Sequence, residues 1–587
     1  MYRSEHPNPQ FERGYYFSLN GSWEFAVGRG EDRLNAPLPG RIEVPFCPQS
    51  EMSGVGITDF MDDCVYSRLI EVSEEDLAGR LVLHFGAVDY EAKVYVNGQY
   101  VTSHVGGYTA FEADITGAVH PGENRITITV HDDMRENIPS GKQTRKQRSF
   151  GCFYTRTTGI WQSVWLERTP PVYLKRVYFT PDIEKCAVKV EVETEGCAPV
   201  HIQVFYQGRR VGEAHGEAAF RRSFRIPLTE KHLWELGEGN LYDVEISLGE
   251  DHVRSYFGLR EVKYQGRKFL LNGKSVFQRL VLDQGYYAES IYTAPSVEAM
   301  RQDIERGMEL GFNGARLHQK VFEQRFLYEC DRMGYMVWGE FPSWGVEYEK
   351  LDFLGRFISE WSETVEQYFN HPSIITWCPL NEAWSNLLDN RKVRDVRFVE
   401  SVYMVTKTLD DTRPCVDTSG GYHGKYTDVF DFHCYGPQQE LDHCLERLEQ
   451  EDLLTVETLY PPESAQEDIL CRGEIPVNAS EYGGIAYSGD GCAKRDVSLR
   501  EDKAEAIAEE EGWGYSICSD EQTFVERYRG LTQRLLRCGK LSGFCYTQLY
   551  DIEQEENGLY TYARRPKFSQ AAMRCITECN RIRAAIE

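Results

Sequence analysis

Beyond about residue 260, short apolar runs and amphipathic segments take turns eight times, and that alternation restricts the fold more than any other feature. The apolar runs lie at 276–281, 314–317, 336–340, 374–380, 414–417, 429–433, 475–481 and 543–549. Helical periodicity fills most of the gaps, as in 296–310 (SVEAMRQDIERGMEL), 322–333, 393–409 and 524–536. Eight strands with helices between them over roughly three hundred residues predict a (β/α)8 TIM barrel. The alternative is a doubly wound open sheet, weakened as a nucleotide-binding fold because no Gly-x-Gly-x-x-Gly turn follows the first run.

Upstream the text changes character. From residue 16 to 167 short alternating strands follow one another, among them LVLHF (81–85), RITITV (125–130) and a run ending at the hairpin pair Asn97-Gly98. A second all-β stretch, with VKVEV (188–192) and IQVFY (202–206), has the length of an immunoglobulin-like sandwich. A chain of 587 residues is too long for one core. The expected architecture is therefore multidomain: a jelly-roll β-sandwich over 1–169, an immunoglobulin-like β-sandwich over 170–259 and the barrel over 260–587.

The formal net charge of −27 argues against a nucleic-acid or anionic-membrane partner. The N-terminus lacks the apolar core of a secretory signal, and no run is long enough to span a bilayer. The 17 cysteines form no Cys-x-x-Cys pair; the nearest approach, Cys575 with Cys579, has no second pair to complete a zinc site. Reduced thiols in a cytoplasmic protein are the expectation. The 35 Tyr and 10 Trp offer flat apolar platforms suited to sugar rings, although most such residues serve packing.

In a barrel, working side chains sit at the C-terminal ends of the strands. Here those ends carry Asp283 with Gln284, Arg316 with His318, Glu340, Asn381 with Glu382, His433 with Tyr435, Glu481 and Gln548. The fourth run, SIITWCPL, would gain nothing as a core strand by stopping in Asn381-Glu382, because an unpaired buried carboxylate is costly. Glu382 on the fourth strand and Glu481 on the seventh face each other across such a mouth. Two facing carboxyl groups, one protonated and one ionised, suit glycosidic bond cleavage. A metal site is the competing reading, with His433 or Glu340 as a third ligand.

NHPSIITWCPLNEAW (370–384) resembles the acid/base signature of glycoside hydrolase family 2, and SEYGG (480–484) resembles its nucleophile segment. LNGSWEFAVG (19–28), VDYEAKVYVNGQ (88–99), GGYTAFEADIT (106–116) and TTGIWQSVWLE (157–167) are similar to the family's sugar-binding jelly roll. FGLREV (257–262) and FLLNGKSVFQRL (269–280) resemble its entry into the barrel. The resemblance implies a retaining β-glycosidase, expected to be exo-acting if the segment 487–520 walls the pocket, with Glu382 as acid/base, Glu481 as nucleophile and Asn381 on the sugar 2-hydroxyl. It places Tyr435 beside the nucleophile and gives Arg316 the task of keeping that nucleophile ionised. His318, His433, Asp283, Gln548 and the aromatic pair Trp344 and Trp384 complete the expected substrate-binding set. No cofactor is expected; the resemblance leaves room for Mg2+, but the sequence supplies no ligand set for it. A homo-oligomer is implied by resemblance alone.

The sugar is the open point. LVLDQGYY (280–287) replaces the histidine-rich segment of the β-galactosidase branch, and Arg316-x-His318 shortens a longer spacing. The β-glucuronidase branch holds its uronate with Asn-x-Lys ahead of Arg-Pro-Lys, where this chain has Glu555-Glu556-Asn557. A β-galactosidase-like specificity is thus the main expectation. A β-mannosidase, pentosidase or furanosidase is the alternative, and a β-glucuronidase is disfavoured unless another base such as Lys320 substitutes. A non-catalytic carbohydrate-binding protein is the reading from a different class, opposed by retention of both carboxylates. The long polar segment 487–520 is either a wall of the pocket or a plain surface insertion.

Overall fold

A computed structural model describes residues 3–348, 350–383, 395–420, 423–452, 475–487 and 514–587. The first sandwich stacks two antiparallel sheets. One runs Gly40–Val44, Gly21–Val27, Asp63–Val72, Gly122–His131, Glu91–Val96 and Gln99–Val105; the other runs Phe111–Asp114, Arg80–Phe85, Val164–Thr169 and Tyr16–Ser18. Alternation puts Val94, Val96, Ile126, Ile128, Leu81 and Leu83 between the sheets. Asn97 and Gly98 turn their hairpin with φ of 52° and 78°, the left-handed pair that a two-residue turn requires.

The second sandwich is organised by one long strand, Ala187–Tyr206. Its first half pairs with Tyr173–Asp182 and its second with Tyr242–Leu248, with a register break between Glu193 and Cys197. Val188, Val190 and Val192 from one half meet Val200, Ile202 and Val204 from the other in a single core.

The third unit is a curled parallel sheet wrapped by helices. Its order is Ile374–Cys378, Met336–Glu340, Gly314–Leu317, Gln278–Asp283, Leu541–Thr547, Val477–Gly483 and Phe430–Cys434. The fifth expected strand is reduced to isolated bridges, Trp377 with Cys415 and Asn381 with Ser419. Hydrogen bonds from Val416 to Trp377 (2.9 Å) and from Ser419 to Leu380 (2.8 Å) still extend the ring there. Pro414 removes one ladder donor, and Asp417 turns its carboxylate back on its own loop at Thr418 and Gly424. The helices Val297–Glu309, Gln324–Met333, Val396–Leu409 and Glu521–Arg537 occupy the periodic segments.

Inside the barrel Leu280, Leu282, Met336, Trp338, Ile375 and Cys545 pack against Val262, Phe269 and Leu271 of a small hairpin and against Trp234 of the second sandwich. That plug closes the end where the strands begin. Asn370, at the head of the fourth strand's approach, accepts from Phe179 N–H (2.9 Å) and donates to Val177 O (2.7 Å). Its neighbour His371 bonds Asp331 (2.6 Å), a buried carboxylate that also takes Ser373 N–H (2.9 Å) and the Tyr256 hydroxyl (2.8 Å). The Asn-His pair therefore fastens barrel to sandwich. Since a buried acceptor that loses a donor costs about 1–3 kcal/mol, His371→Ala is expected to lower the thermal midpoint by several degrees. The lesion is far from the strand ends, so kcat should stay close to wild type.

Among the described residues all cysteines are free thiols, and no helix is long and apolar enough to cross a membrane.

Candidate active site

Strand parity decides what reaches the barrel mouth. Along Gln278–Asp283, Leu280 and Leu282 point inward while Val281 joins the helix layer. Asp283 continues outward: its carboxylate accepts from Gly285 N–H (2.9 Å). Burial first, then the nearby Asp303, pushes its pKa up to about 6. Gln284, one residue on, faces the mouth. On Gly314–Leu317 the same alternation aims Arg316 inward, and on Phe430–Cys434 it aims Asp431 and His433 inward, with Phe430 and Phe432 behind them. Val477–Gly483 carries a bulge, since Phe432 pairs Ala479 while His433 pairs Glu481. The extra residue lets Ser480 and Glu481 both serve the interior, a common use of bulges beside working sites.

Arg316, with no exposed surface, is the hub. Its guanidinium donates to Glu340 (2.6 Å), Glu481 (2.7 Å) and the side-chain amide oxygen of Asn381 (2.6 Å), so one planar fork sets three rim groups. Burial opposes its charge, but Glu340 and Glu481 outweigh burial and hold its pKa well above the ordinary value. Glu481 also accepts from the Tyr435 hydroxyl, and His433 Nε2 lies 3.4 Å from the same oxygen that Arg316 holds. Burial would raise the Glu481 pKa; the His433 and Arg316 charges override it, and the carboxyl stays well below the usual range. Because Asn381 spends its oxygen on Arg316, its buried NH2 is left without a partner among the described residues.

Glu382 follows with φ of 47°, a left-handed conformation rare for a residue with a side chain and costing about 1–2 kcal/mol. The hydrogen bond from its N–H to Ser419 O (2.8 Å) holds it there. Its carboxylate meets His433 Nδ1 at 2.7 Å and remains 13 % exposed, against 4 % for Glu481. One oxygen from each glutamate and a His433 nitrogen lie within 4.8 Å of one another. Such a trio has the spacing of a metal site, but Glu481 already satisfies Arg316 and Tyr435. A cation placed there would compete with the guanidinium, so these groups do not fit Mg2+.

A second ring of hydrogen bonds lines the opposite wall. Gln284 donates to the Tyr154 hydroxyl (2.8 Å) and to Gln548, and Gln548 donates to Asn557 (2.7 Å). Asn557 donates to Glu555 (2.9 Å), whose other oxygen takes the Tyr154 hydroxyl. Tyr154 belongs to the first sandwich, whose loop also brings Lys142 into the mouth. Backbone bonds from Ser140 (2.9 Å) and Gly141 (3.0 Å) to Trp344 O fix this loop on the barrel. Gly141 has φ of 59°, and a Cβ there would stand 2.4 Å from Gln319 O, so only glycine permits the approach.

Trp344 is buried and donates from its indole to Asn381 O (3.2 Å). His318 approaches Glu340 at 3.0 Å, and burial first, then Lys142, drives its pKa well below the ordinary value, so it is neutral. Lys320 lies elsewhere: its ammonium donates to Gly285 O (2.6 Å) and Tyr292 O (2.7 Å) beneath aromatic rings. It is not the substitute base for a uronate. Trp384 falls outside the described residues, as does 488–513 of the polar segment. The far end of that segment is described, and Tyr515 stacks on Tyr435 with centroids 3.6 Å apart. Lys142, Tyr154, Tyr515 and the orientation of Glu555 were not foreseen; none carries a periodic signal, and only the doubled glycine of Gly483-Gly484, against which Tyr515 packs, hints at a close approach.

Family models match the chain in order. The sugar binding domain of glycosyl hydrolases family 2 matches 42–170, the family 2 central model 172–260 and the family 2 TIM barrel domain 262–507. The chain is similar to the beta-glucuronidase of Paenibacillus borealis, 25 % identical over 410 residues that cover 62 % of this chain and 67 % of the relative. It is also similar to the beta-galactosidase of Thermoanaerobacterium thermosulfurigenes, 24 % identical over 436 residues, covering 67 % and 57 %. In fold it resembles the solved Lactobacillus rhamnosus beta-glucuronidase, with a TM-score of 0.78, 20 % identity and 98 % of each chain covered.

Proposed function

Because the chain belongs to glycoside hydrolase family 2, we propose that it removes a terminal β-linked sugar by double displacement, with Glu481 as nucleophile and Glu382 as acid/base. The observation that carries this reading is the asymmetry of the two carboxylates. Glu481 is buried and kept ionised by Arg316 and His433, as a nucleophile must be. Glu382 is the more exposed, beside His433, placed to give a proton to a leaving oxygen and later to take one from water. Their oxygens approach within 4.8 Å, near the separation of about 5–5.5 Å of retaining pairs and short of the roughly 6.5–9.5 Å of inverting ones, which supports retention. Asn381, its amide NH2 unused, is suited to donate to the sugar 2-hydroxyl, a bond that strengthens as charge develops at the anomeric carbon.

For the sugar, we propose a β-hexuronide in place of the β-galactoside expected from sequence. The support is the name of the Paenibacillus relative, together with a mouth in which two buried cations, Arg316 and Lys142, both act on Glu481. Glu555, the strongest sequence argument against a uronide, has both oxygens occupied by Tyr154 and Asn557. A β-galactoside remains the second reading, favoured by the Thermoanaerobacterium relative and by the neutral amides Gln284, Gln548 and Asn557 along the far wall.

A panel of nitrophenyl glycosides tests both levels. Turnover is expected on β-glucuronide or β-galacturonide, with the β-anomer of the free sugar appearing first in a proton NMR time course. First appearance of the α-anomer would overturn double displacement, and exclusive turnover of the β-galactoside would overturn the hexuronide.

A further inference from the structure

We infer that the uronate carboxylate is read by Lys142, so that the sugar-selecting cation comes from the first sandwich and not from the barrel. This rests on the hexuronide reading above. Lys142 is 3 % exposed, and burying a lone ammonium is expensive unless it finds an anion. Its Nζ lies over the Trp344 ring, 5.3 Å from the centroid, and that indole is bonded to Asn381 at the strand end. Among the described residues its ammonium has no hydrogen bond and no carboxylate within 4.0 Å, and its one close contact is the Trp344 ring. Glu382, Glu481 and Glu555 all act on it electrostatically, yet each is already engaged: Glu382 by His433, Glu481 by Arg316 and Tyr435, Glu555 by Tyr154 and Asn557. The three carboxylates thus stabilise the ammonium's charge without occupying its donors.

The position also fits. Glu382 and Glu481 flank the anomeric carbon of a bound sugar and Asn381 its 2-hydroxyl. Lys142, over Trp344 and within electrostatic reach of Glu382, Glu481 and Glu555, lines the same mouth, where a substituent of the ring can meet it. A hydroxymethyl there would leave the ammonium short of a charged partner; a carboxylate supplies it. The segment 555–557 occupies the place where the sequence lacks a lysine, and it lies against Tyr154, whose N–H is bonded to Lys142 O (2.8 Å). Nothing in this argument separates glucuronate from galacturonate, which differ at O4, so both belong in the test.

The experiment compares wild type, Lys142→Met and Lys142→Arg on nitrophenyl β-D-glucuronide, β-D-galacturonide and β-D-galactoside, with thermal melts as a check on folding. Lys142→Met is expected to lower kcat/KM on the better uronide about a hundredfold or more, chiefly through KM, while changing the galactoside rate by less than about threefold. Lys142→Arg, which keeps the charge, should recover part of the uronide activity. Competitive inhibition by free glucuronate or galacturonate should disappear in Lys142→Met. An equal loss on uronide and galactoside, in a variant that still folds, would overturn the role of Lys142 while leaving the hexuronide reading intact. Wild-type turnover confined to the galactoside would overturn the hexuronide reading itself, and this inference with it.

Discussion

Glu481→Gln is expected to lower kcat on the preferred nitrophenyl glycoside by on the order of 10⁴-fold or more, with the protein still folded. The side chain is isosteric, and the rim it enters is rigid, held by Arg316 and Tyr435. What is lost is the negative oxygen proposed to attack the anomeric carbon. Truncation further to Glu481→Ala makes a space that an external anion can use. Added azide should then restore part of the turnover and yield a glycosyl azide of inverted configuration, because only one displacement takes place. Wild-type turnover in Glu481→Gln would remove the nucleophile assignment. An azide product of retained configuration in Glu481→Ala would point to a nucleophile elsewhere.

The second large effect belongs to Arg316. Arg316→Met leaves two buried carboxylates and an amide oxygen without their shared donor, and breaking a buried pair from one side costs about 3–5 kcal/mol. A lower thermal midpoint is expected, together with a fall in kcat of roughly 10²–10³-fold. The pH dependence distinguishes the electrostatic role from simple loosening. In the wild type the folded-state pKa of Glu481 is depressed below its ordinary 4.5. Its contribution to stability is therefore fully present above about pH 4.5 and is lost as pH falls from there toward the folded value. Activity should likewise keep its nucleophile ionised down to the acid edge of folding. Removing the guanidinium should shift the acid limb of the pH–rate profile upward. An unchanged limb in Arg316→Met would show that His433 alone keeps Glu481 ionised. Arg316→Lys should rescue little, because an ammonium cannot reach three acceptors in one plane.

Much of this site could be read from the chain because barrel geometry converts strand ends into positions. Arg316, Asn381, Glu382, His433, Tyr435 and Glu481 all end apolar runs, and all converge. The failures have physical reasons too. The first strand runs Gln278–Asp283, two residues beyond the expected 276–281; a shift of two preserves parity, and with Leu280 and Leu282 inward Asp283 falls to the helix layer and Gln284 to the mouth. The fifth strand was expected to be regular, but Pro414 and the loop-directed Asp417 leave bridges only. Asn370 and His371 belong by resemblance to a catalytic signature, yet their side chains serve the contact between domains. Lys142 and Tyr154 were invisible for a different reason. They sit in a loop of another domain, more than a hundred residues from any barrel strand, and only tertiary structure brings them home.

The glycine-pinned loop at Gly141 has a bearing on how such an enzyme changes over generations. The apparatus for breaking bonds is built into strand ends, where a substitution upsets a shared guanidinium and is punished at once. The wall proposed to meet the rest of the substrate is carried on a separate folding unit, held at Ser140 and Gly141 through backbone bonds to Trp344 that depend on the glycine but not on the loop's other side chains. Selection can therefore rewrite that wall one residue at a time while the cleavage chemistry stands still. Two chains with the same barrel rim can on this account differ in diet, and surveys of specificity confined to the barrel would sort them together.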